Sequence, residues 1–308
     1  FIDYNYLVKE PGVSLPDPDW DDPSDVATNL TSVEDANGEQ TLTSRVALRW
    51  QPTDWFDSTL TYFYQKLELE GRSISQYNSL SSESELFNEI NKFESAYRYV
   101  EPFQRKNDLL SLEMKADLGF AELVSATGIT NTERSGSRDQ TDLLIRLNYG
   151  YEEFPSFAAY TEDVTSVDTF TQEIRLVSTS DSDLSWIVGG YYNKDEGEGY
   201  SKEFTPGFDE FAIDVFQAEG FLRPDSIEYY SQSENETIEK AIFGEISYQI
   251  TDDWDMTLGL RKYWYEVSAS SAVDLPLYNT TFNGWDPDSF DFEFEGVFNE
   301  NNVDLFKF

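Results

Sequence analysis

Apolar and polar side chains alternate in paired segments that are joined by short turns. In the segment 41–50, "TLTSRVALRW", the side chains of Val46, Leu48 and Trp50 fall on one face, and threonine and arginine side chains fall on the other. Successive side chains of a β-strand point to opposite faces of a sheet. The pattern therefore predicts a strand with one apolar and one polar face.

Four such pairs, of which 41–50 begins the first, occur along the chain. They predict four hairpins, with turns centred near residues 53, 120, 182 and 252. With a strand at 1–8 and another beginning at 302–308, they make about ten strands in one antiparallel, all-β domain over 1–308. The expected long loops are 9–40, 67–107, 132–167, 196–235 and 267–301. Strands of about ten residues, with short turns at one end and long loops at the other, are typical of a transmembrane β-barrel. A half-solvated sheet in a soluble β-protein is the alternative, since its strands alternate in the same way.

The segment 169–196 shows what a barrel wall requires of each strand. Glu173 and Arg175 alternate with Ile174 and Leu176, so charge and apolar surface fall on opposite faces. We expect the apolar face to meet lipid and the charged face to line the interior. The other residues expected at the lipid face are Trp186, Val188 and Tyr192, and Glu245 and Arg261 are expected to face inward.

Composition excludes several classes of protein and site. The 308 residues carry 60 Asp+Glu against 21 Lys+Arg, a net charge of −39, which excludes non-specific nucleic-acid binding. The chain has no Cys and no His, so it cannot build a disulfide, a thiolate site or a Ser–His–Asp triad by itself. No phosphate-binding loop or dinucleotide-binding fingerprint is found in the sequence, and we expect no enzymatic activity.

A cluster of aspartates near the N-terminus is a candidate calcium site. Its members are Asp17, Asp19, Asp21 and Asp22, in "DPDWDDPSD" (17–25). Closely spaced carboxylates suit Ca²⁺, although the full calcium-loop pattern is not present. A second acidic segment lies at 286–296. A solvated acidic loop is the alternative in both places, and no other cofactor is expected.

Two further sets of residues are candidates for ligand binding. The first is the group of aromatic residues Phe204, Phe208, Tyr229 and Tyr230 in the expected loop 196–235, and the second comprises Arg138, Asp139 and Arg146. Aromatic side chains among acidic ones suit the mouth of a ligand-binding site. Packing of a large loop against itself, or ion pairing between neighbouring strands, explains the same residues without a ligand.

Three quoted segments resemble the barrel of TonB-dependent outer-membrane receptors. They are "FTQEIRLVS" (170–178), "SWIVGGYY" (185–192) and "EKAIFGEISYQITDDWDMTLGLRKYWYE" (239–266). The segments 48–65 and 138–157 are similar to members of that family in aquatic and soil Gram-negative bacteria. The resemblance implies a barrel of about 22 strands, with short periplasmic turns and long extracellular loops. The plug domain and TonB box of the family are not seen in 1–308, so we expect the central part of a barrel.

The resemblance also implies a function and a location. A receptor of this kind lies in the outer membrane of a Gram-negative bacterium, in contact with membrane lipid and lipopolysaccharide. It binds a scarce nutrient, such as a ferric siderophore or another metal chelate, and imports it with energy that TonB delivers through the plug. Two other classes of protein remain open from the residues alone. They are a secreted carbohydrate-binding or carbohydrate-cleaving β-protein, and a surface adhesin or structural component of the envelope.

Overall fold

The computed structural model describes residues 1–74, 90–147, 149–179, 182–292 and 295–301. Its strands are β1 (Asp3–Val8), β2 (Leu30–Val33), β3 (Glu39–Thr53), β4 (Phe56–Leu69), β5 (Glu94–Ser95), β6 (Phe103–Asp117), β7 (Ala121–Asp139), β8 (Tyr160–Ser178), β9 (Leu184–Phe204), β10 (Ile227–Thr251), β11 (Trp254–Asp274) and β12 (Glu295–Asn301). Its helices are α1 (Pro23–Asn29), α2 (Thr141–Ile145), α3 (Phe208–Val215) and α4 (Pro276–Thr281), with a 3₁₀ turn at Tyr151–Glu153. No helix within these ranges is long and apolar enough to cross a membrane.

Nine of these strands form one antiparallel sheet in the order β12-β11-β10-β9-β8-β7-β6-β4-β3. The sheet is not closed within the described residues, and β3 and β12 are its edges. The all-β antiparallel class predicted from the sequence is confirmed. Short turns join β3 to β4, β6 to β7 and β10 to β11, as the sequence predicts. The turn expected near residue 182 includes two residues outside the described ranges.

The two faces of the sheet differ as the alternation predicts. Ladder pairing places Leu176 opposite Val188 and Ile246 opposite Leu258 on one face, the apolar face. On the other face, the polar face, the carboxylate of Glu173 lies 3.3 Å from Arg175 and that of Glu239 lies 3.2 Å from Arg261. The following residues of the apolar face are named the apolar belt: Val46, Leu48, Trp50, Leu60, Leu110, Leu112, Ile129, Phe170, Ile174, Leu176, Trp186, Val188, Ile242, Ile246, Tyr248, Trp254, Met256, Leu258 and Leu260.

The apolar belt runs obliquely across the strands. The residue directly in register with Leu48 of β3 is Leu60 on β4, and the row continues through Thr127 on β7 to Trp264 on β11. On β11 the belt instead centres on Leu258, six residues nearer the turn than Trp264. An apolar band of constant height shifts along the register in this way when the strands are tilted, as they are in barrels.

The long connections are shorter than the sequence predicts, because the strands continue beyond the belt. β7 runs to Asp139 and β8 begins at Tyr160, so the loop expected at 132–167 is the connection 140–159. The other connections between wall strands are 70–102, 205–226 and 275–294. The parts of the wall strands next to these connections carry polar residues on both faces. Glu196 pairs with Glu236 on one face, and Asp195 pairs with Thr237 on the other. Ladder hydrogen bonds extend these strands where apolar alternation no longer marks them.

The prediction for the start of the chain needs correction. The segment 1–8 is a strand, but β1 pairs with β2 and β5 in a separate three-stranded sheet instead of joining the wall. It does so because Ile2, Tyr4 and Leu7 are buried with Ala36 and Tyr97 in a core of their own. At the other end, the strand expected at 302–308 lies outside the described residues. β12 falls within the expected loop 267–301.

The buried core of the protein lies in the cap, which we define as the three-stranded sheet together with the connections at its end of the wall. One core cluster joins three of these connections: its buried residues are Leu144, Tyr151, Phe157, Ala159, Phe208 and Leu277. A second cluster joins Val8 and Leu30 to Ala158, with Trp20 packed against it. Long connections thus stay ordered by building small cores together.

We predict that Leu277→Ala loosens the cap. Leu277 is completely buried, and truncation of a buried leucine costs about 2–5 kcal/mol. The rate of limited proteolysis within 275–294 should rise. The matched control is Leu275→Ala in the same connection, where the leucine is exposed, and this variant should be cleaved at the wild-type rate. Equal cleavage of the two variants would show that the cap does not depend on this core.

Candidate functional site

One of the four candidate aromatic residues is buried inside the cap, and another stacks on a neighbouring wall strand. Phe208 is 4% exposed, and its ring centroid lies 4.7 Å from that of Tyr151. Phe204, at the end of β9, stacks on Tyr160 with ring centroids 4.8 Å apart and planes inclined by 14°. Phe208 is therefore closed to a ligand in this conformation, while Phe204 is half-buried and joins the ends of β8 and β9.

The other two candidates lie on opposite faces of β10. Tyr230 packs edge-on against Phe290 and Phe292, with centroids 5.4 and 4.8 Å away. The ammonium group of Lys202 lies 4.8 Å from the centre of the Tyr230 ring, a distance that suits a cation–π contact. Tyr229 is half-buried opposite Glu203 on the polar face. The structure therefore places Tyr229 and Tyr230 on different faces of the sheet, and their part in ligand binding stays a prediction.

Asp139 organises the backbone of the cap. Its carboxylate accepts hydrogen bonds from the backbone amides of Arg98, Tyr99 (3.2 Å) and Thr141 (2.8 Å). Burial raises the pKa of this carboxyl, and these hydrogen bonds oppose the rise. The residue ties the connections 70–102 and 140–159 together at the end of β7.

The two arginines expected beside Asp139 take different positions. Arg146 donates from Nε to the backbone oxygen of Asp142 at 3.0 Å, at the end of α2. Arg138 is exposed, and its charge opposes a rise in the pKa of Glu203. The three residues therefore do not converge on one anion.

The N-terminal aspartates use their carboxylates within the cap. Asp17 accepts a hydrogen bond from the Trp20 indole at 2.6 Å, and Asp19 accepts one from the amide of Asp21 at 3.0 Å. Asp22 caps α1 by accepting from the amide of Ser24 at 2.9 Å, as expected of an N-cap aspartate. Within the described ranges, no group of three or more metal-ligating side chains converges here or elsewhere. Calcium binding stays a prediction of the sequence.

Sequence reasoning missed a buried arginine that joins two connections. The guanidinium of Arg223 pairs with Asp225 through two contacts of 2.8 Å and donates to the backbone oxygen of Ser289 at 2.7 Å. The Phe290 ring lies beneath it at 4.5 Å. The ion pair with Asp225 orients the guanidinium within 205–226, and its contacts with Ser289 and Phe290 fix 275–294 against that connection. No sequence pattern marks Arg223, since its partners are up to 66 residues away.

Buried carboxyls in the cap were also missed. Burial raises the pKa of Glu228 to about 7, although the hydrogen bond that Glu228 accepts from Tyr151 lowers this pKa. The Tyr151 hydroxyl donates to one Glu228 oxygen at 2.8 Å, and the other oxygen has no hydrogen-bond partner within the described residues. Burial likewise raises the pKa of Glu101 to about 7, although the amide of Asp139 and the charge of Arg72 oppose it.

The cap and the polar face leave two surfaces for chemistry. Exposed aromatic side chains of the cap include Tyr149, Phe221, Tyr278, Phe282 and Trp285. The Tyr278 and Phe282 rings stack at 5.2 Å and offer a flat apolar surface. On the polar face, a recess of 650 Å³ surrounds Gly128 and is lined by both signs of charge, among them Lys115 and Glu173. Binding of a ligand or of another protein segment is the chemistry these surfaces support.

We predict that the cap becomes less stable as pH rises. Glu228 has a raised pKa in the folded protein, so its contribution to stability is complete below its ordinary value of 4.5 and is lost as pH rises through about 7. Tyr151, Glu203 and Asp209 face it, and none of them supplies a positive charge. Limited proteolysis of 205–226 should therefore be faster at about pH 8 than at about pH 5.

Glu228→Gln should reduce this pH dependence, because the amide carries no charge at either pH. Glu234→Gln, at an exposed position of the same strand, is the matched control and should keep the wild-type dependence. An unchanged pH profile in Glu228→Gln would contradict the assignment.

Comparison with known proteins gives a likeness of fold. No protein-family model and no curated protein matches the chain. The ferric yersiniabactin uptake receptor FyuA from Yersinia pestis is similar in structure, with a TM-score of 0.57 and 12% sequence identity over 89% of this chain and 35% of that receptor. The siderophore receptor PiuA from Acinetobacter baumannii gives a TM-score of 0.43 and 9% identity over 78% of this chain and 41% of that one. The chain thus spans about a third of the length of FyuA, and its sheet has the fold of a β-barrel receptor.

Proposed function

We propose that this chain is part of the wall and the extracellular cap of a TonB-dependent outer-membrane receptor that imports a scarce nutrient, such as a ferric siderophore. The observation that carries the proposal is the apolar belt, exposed on one face of a sheet whose opposite face is polar. The barrel resemblance of 41–266 and the fold of FyuA support the choice of family.

The belt is unfavourable in water and favourable in a bilayer. Leu48 is 67% exposed and Leu258 is 53% exposed, and each fully buried leucine is worth about 1.5–3 kcal/mol when it is removed from water. Soluble monomers rarely expose contiguous apolar patches of more than a few hundred Å². A lipid environment covers the whole belt at once without any protein partner.

The dimensions of the belt match a membrane. On β11, Trp254 lies beside the turn and Trp264 lies ten residues further along the same face. Ten residues of strand span about 33 Å, and a tilt of about 40° reduces this to roughly 25 Å, the height of the apolar band in outer-membrane barrels. Tryptophans at both limits suit the two membrane interfaces.

Further strands are needed to complete this wall. In a bilayer, each unpaired backbone group at the open edges β3 and β12 would cost several kcal/mol. We infer that strands from the rest of a larger protein pair with them, in line with the 35% of FyuA that the chain covers. The polar face would then line the interior, where a plug domain links the receptor to TonB.

The two ends of the wall then face different compartments. The short turns would lie in the periplasm and the cap outside the cell, at the outer membrane of a Gram-negative bacterium. In this arrangement the exposed cap aromatics meet an incoming small molecule such as a metal chelate. The chain would act by binding and by forming the passage, without catalysis.

We predict that an arginine on the apolar face destabilises the membrane-inserted protein more than one on the polar face. Leu258→Arg places a charge in the belt and should cost about 2–4 kcal/mol if the position lies near the bilayer midplane. Thr257→Arg, one residue earlier on the polar face, is the matched control and should cost less. Denaturant titration of the protein in phosphatidylcholine vesicles measures both. Equal losses, or a protein that stays folded and monomeric without detergent, would contradict membrane insertion.

We also predict TonB-dependent uptake that requires the exposed cap aromatics. Cells that produce the protein should accumulate a radiolabelled ferric chelate, and cells without TonB should not. Tyr278→Ala with Phe282→Ala removes a stacked pair on the surface of the cap and should reduce uptake without lowering the amount of protein in the membrane. Uptake that persists without TonB would contradict the family assignment.

A further inference from the structure

Acidic residues dominate two connections that meet in the cap. In 275–294, Asp and Glu occupy four positions, and Lys and Arg occupy none. In 205–226, Asp and Glu occupy five positions, and Arg223 is the one basic residue. The potential above these connections is therefore negative, and it attracts cations and repels anions before any contact is made.

Basic side chains of the cap are matched inside it. Arg223 is buried and pairs with Asp225 at 2.8 Å. Arg98 is buried as well, and Arg72 lies 3.7 Å from the buried carboxylate of Glu101. These three positive charges therefore do not offset the exposed carboxylates of the connections.

Exposed aromatic rings of both connections lie together on this acidic surface. The Tyr278 and Phe282 rings stack at 5.2 Å on α4 and at its end. The amide of Trp285 donates to the backbone oxygen of Asn279 at 3.1 Å, and the amide of Phe221 donates to that of Thr280 at 3.1 Å. We name four exposed aromatic residues the platform: Phe221, Tyr278, Phe282 and Trp285.

The two halves of the platform are held close together, with carboxylates beside them. A Cβ atom at Gly220 would overlap the backbone oxygen of Thr280, so glycine is required for this close approach of the two connections. Exposed carboxylates adjoin the rings, with Glu219 in the first connection and Asp286 and Asp288 in the second. The faces of aromatic rings attract cations, and the carboxylates add to that attraction.

Buried oxygen atoms lack donors where the polar face meets the cap. Thr161 lies in register with Glu203 on this face. The hydroxyl oxygens of Thr161 and Thr205 and one carboxylate oxygen of Glu228 are buried and have no hydrogen-bond partner within the described residues. Buried polar atoms of folded proteins are nearly always hydrogen-bonded. An N–H or ammonium group of a ligand that passes beneath the cap would satisfy them.

We propose that the imported nutrient is a ferric chelate of net positive charge, which binds the platform through its cationic group. The proposal rests on the receptor function proposed above and names the substrate class of the same site. The acidic, aromatic platform selects the charge, and the donor-free oxygens beneath the cap suit N–H groups of the same molecule. An anionic chelate would meet repulsion at the platform, because Arg72, Arg98 and Arg223 are already matched.

The test compares two ferric chelates that differ in charge. The first is a linear trihydroxamate with a terminal amine, which is positive at neutral pH. The second is the same chelate with that amine succinylated, which is negative. Uptake of radiolabelled iron is measured in cells that produce the receptor, with and without TonB. We expect the amine chelate to half-saturate TonB-dependent uptake at a roughly tenfold lower concentration, and added salt should narrow the difference.

Asp286→Asn with Asp288→Asn removes two charges beside the platform and should reduce this preference to roughly threefold. The matched control is Asp252→Asn with Asp253→Asn. These two residues are exposed in the turn between β10 and β11, at the opposite end of the wall from the cap. The control removes the same charge from the protein and should keep the wild-type preference.

Equal uptake of the two chelates, or a preference for the succinylated one, would overturn the proposal and leave the receptor function standing. An equal loss of preference in the control would also overturn it, because the selection would then not come from the platform. Uptake of neither chelate would contradict both the proposal and the receptor function. Uptake of both that persists without TonB would contradict the receptor function itself.

Discussion

The antiparallel pairing from β3 to β12, whose register shifts lie at strand ends, is the constraint on which the rest of the structure depends. Each ladder pair joins residues of the same face, so the alternation of one strand is carried to the next without a break. A slip of one residue would place Glu245 among the leucines and Leu258 among the charges. The long apolar belt and the ion pairs opposite it are therefore two consequences of a single pairing.

A wall of this kind has almost no core of its own, and the cap supplies one. Most large buried side chains are in the long connections and the three-stranded sheet, while many leucines and isoleucines of the wall are exposed. The cap is held by aromatic packing around Phe208, by the amide contacts of Asp139 and by the Arg223–Asp225 pair. This packing buries carboxyls such as that of Glu228, and burial raises the pKa of Glu228 to about 7. Part of the order of the cap therefore depends on carboxyls whose protonation changes near neutral pH.

Sequence reasoning succeeded where local pattern determines structure and failed where distant segments meet. It placed Glu173 and Val188 on the correct faces, because strand geometry alone decides this. It ended β7 too early, because polar residues on both faces carry no periodic signal although their backbones still pair. It grouped Phe204, Phe208, Tyr229 and Tyr230 by composition. In the structure Phe208 is buried, and Tyr229 and Tyr230 lie on opposite faces of β10; their part in ligand binding stays a prediction. It had no signal for Arg223 or Glu228, whose roles come from partners far along the chain.

By itself, the sequence determined the β class, the hairpins and the division of each strand into an apolar and a polar face. These follow from side-chain alternation and from turns of a few residues. Only the tertiary structure decided that β1 leaves the wall for the cap, that the belt runs obliquely across the strands, and that Arg223 reaches Ser289 in another connection. Such features depend on register between strands and on packing between connections, and neither is encoded in any short stretch of residues.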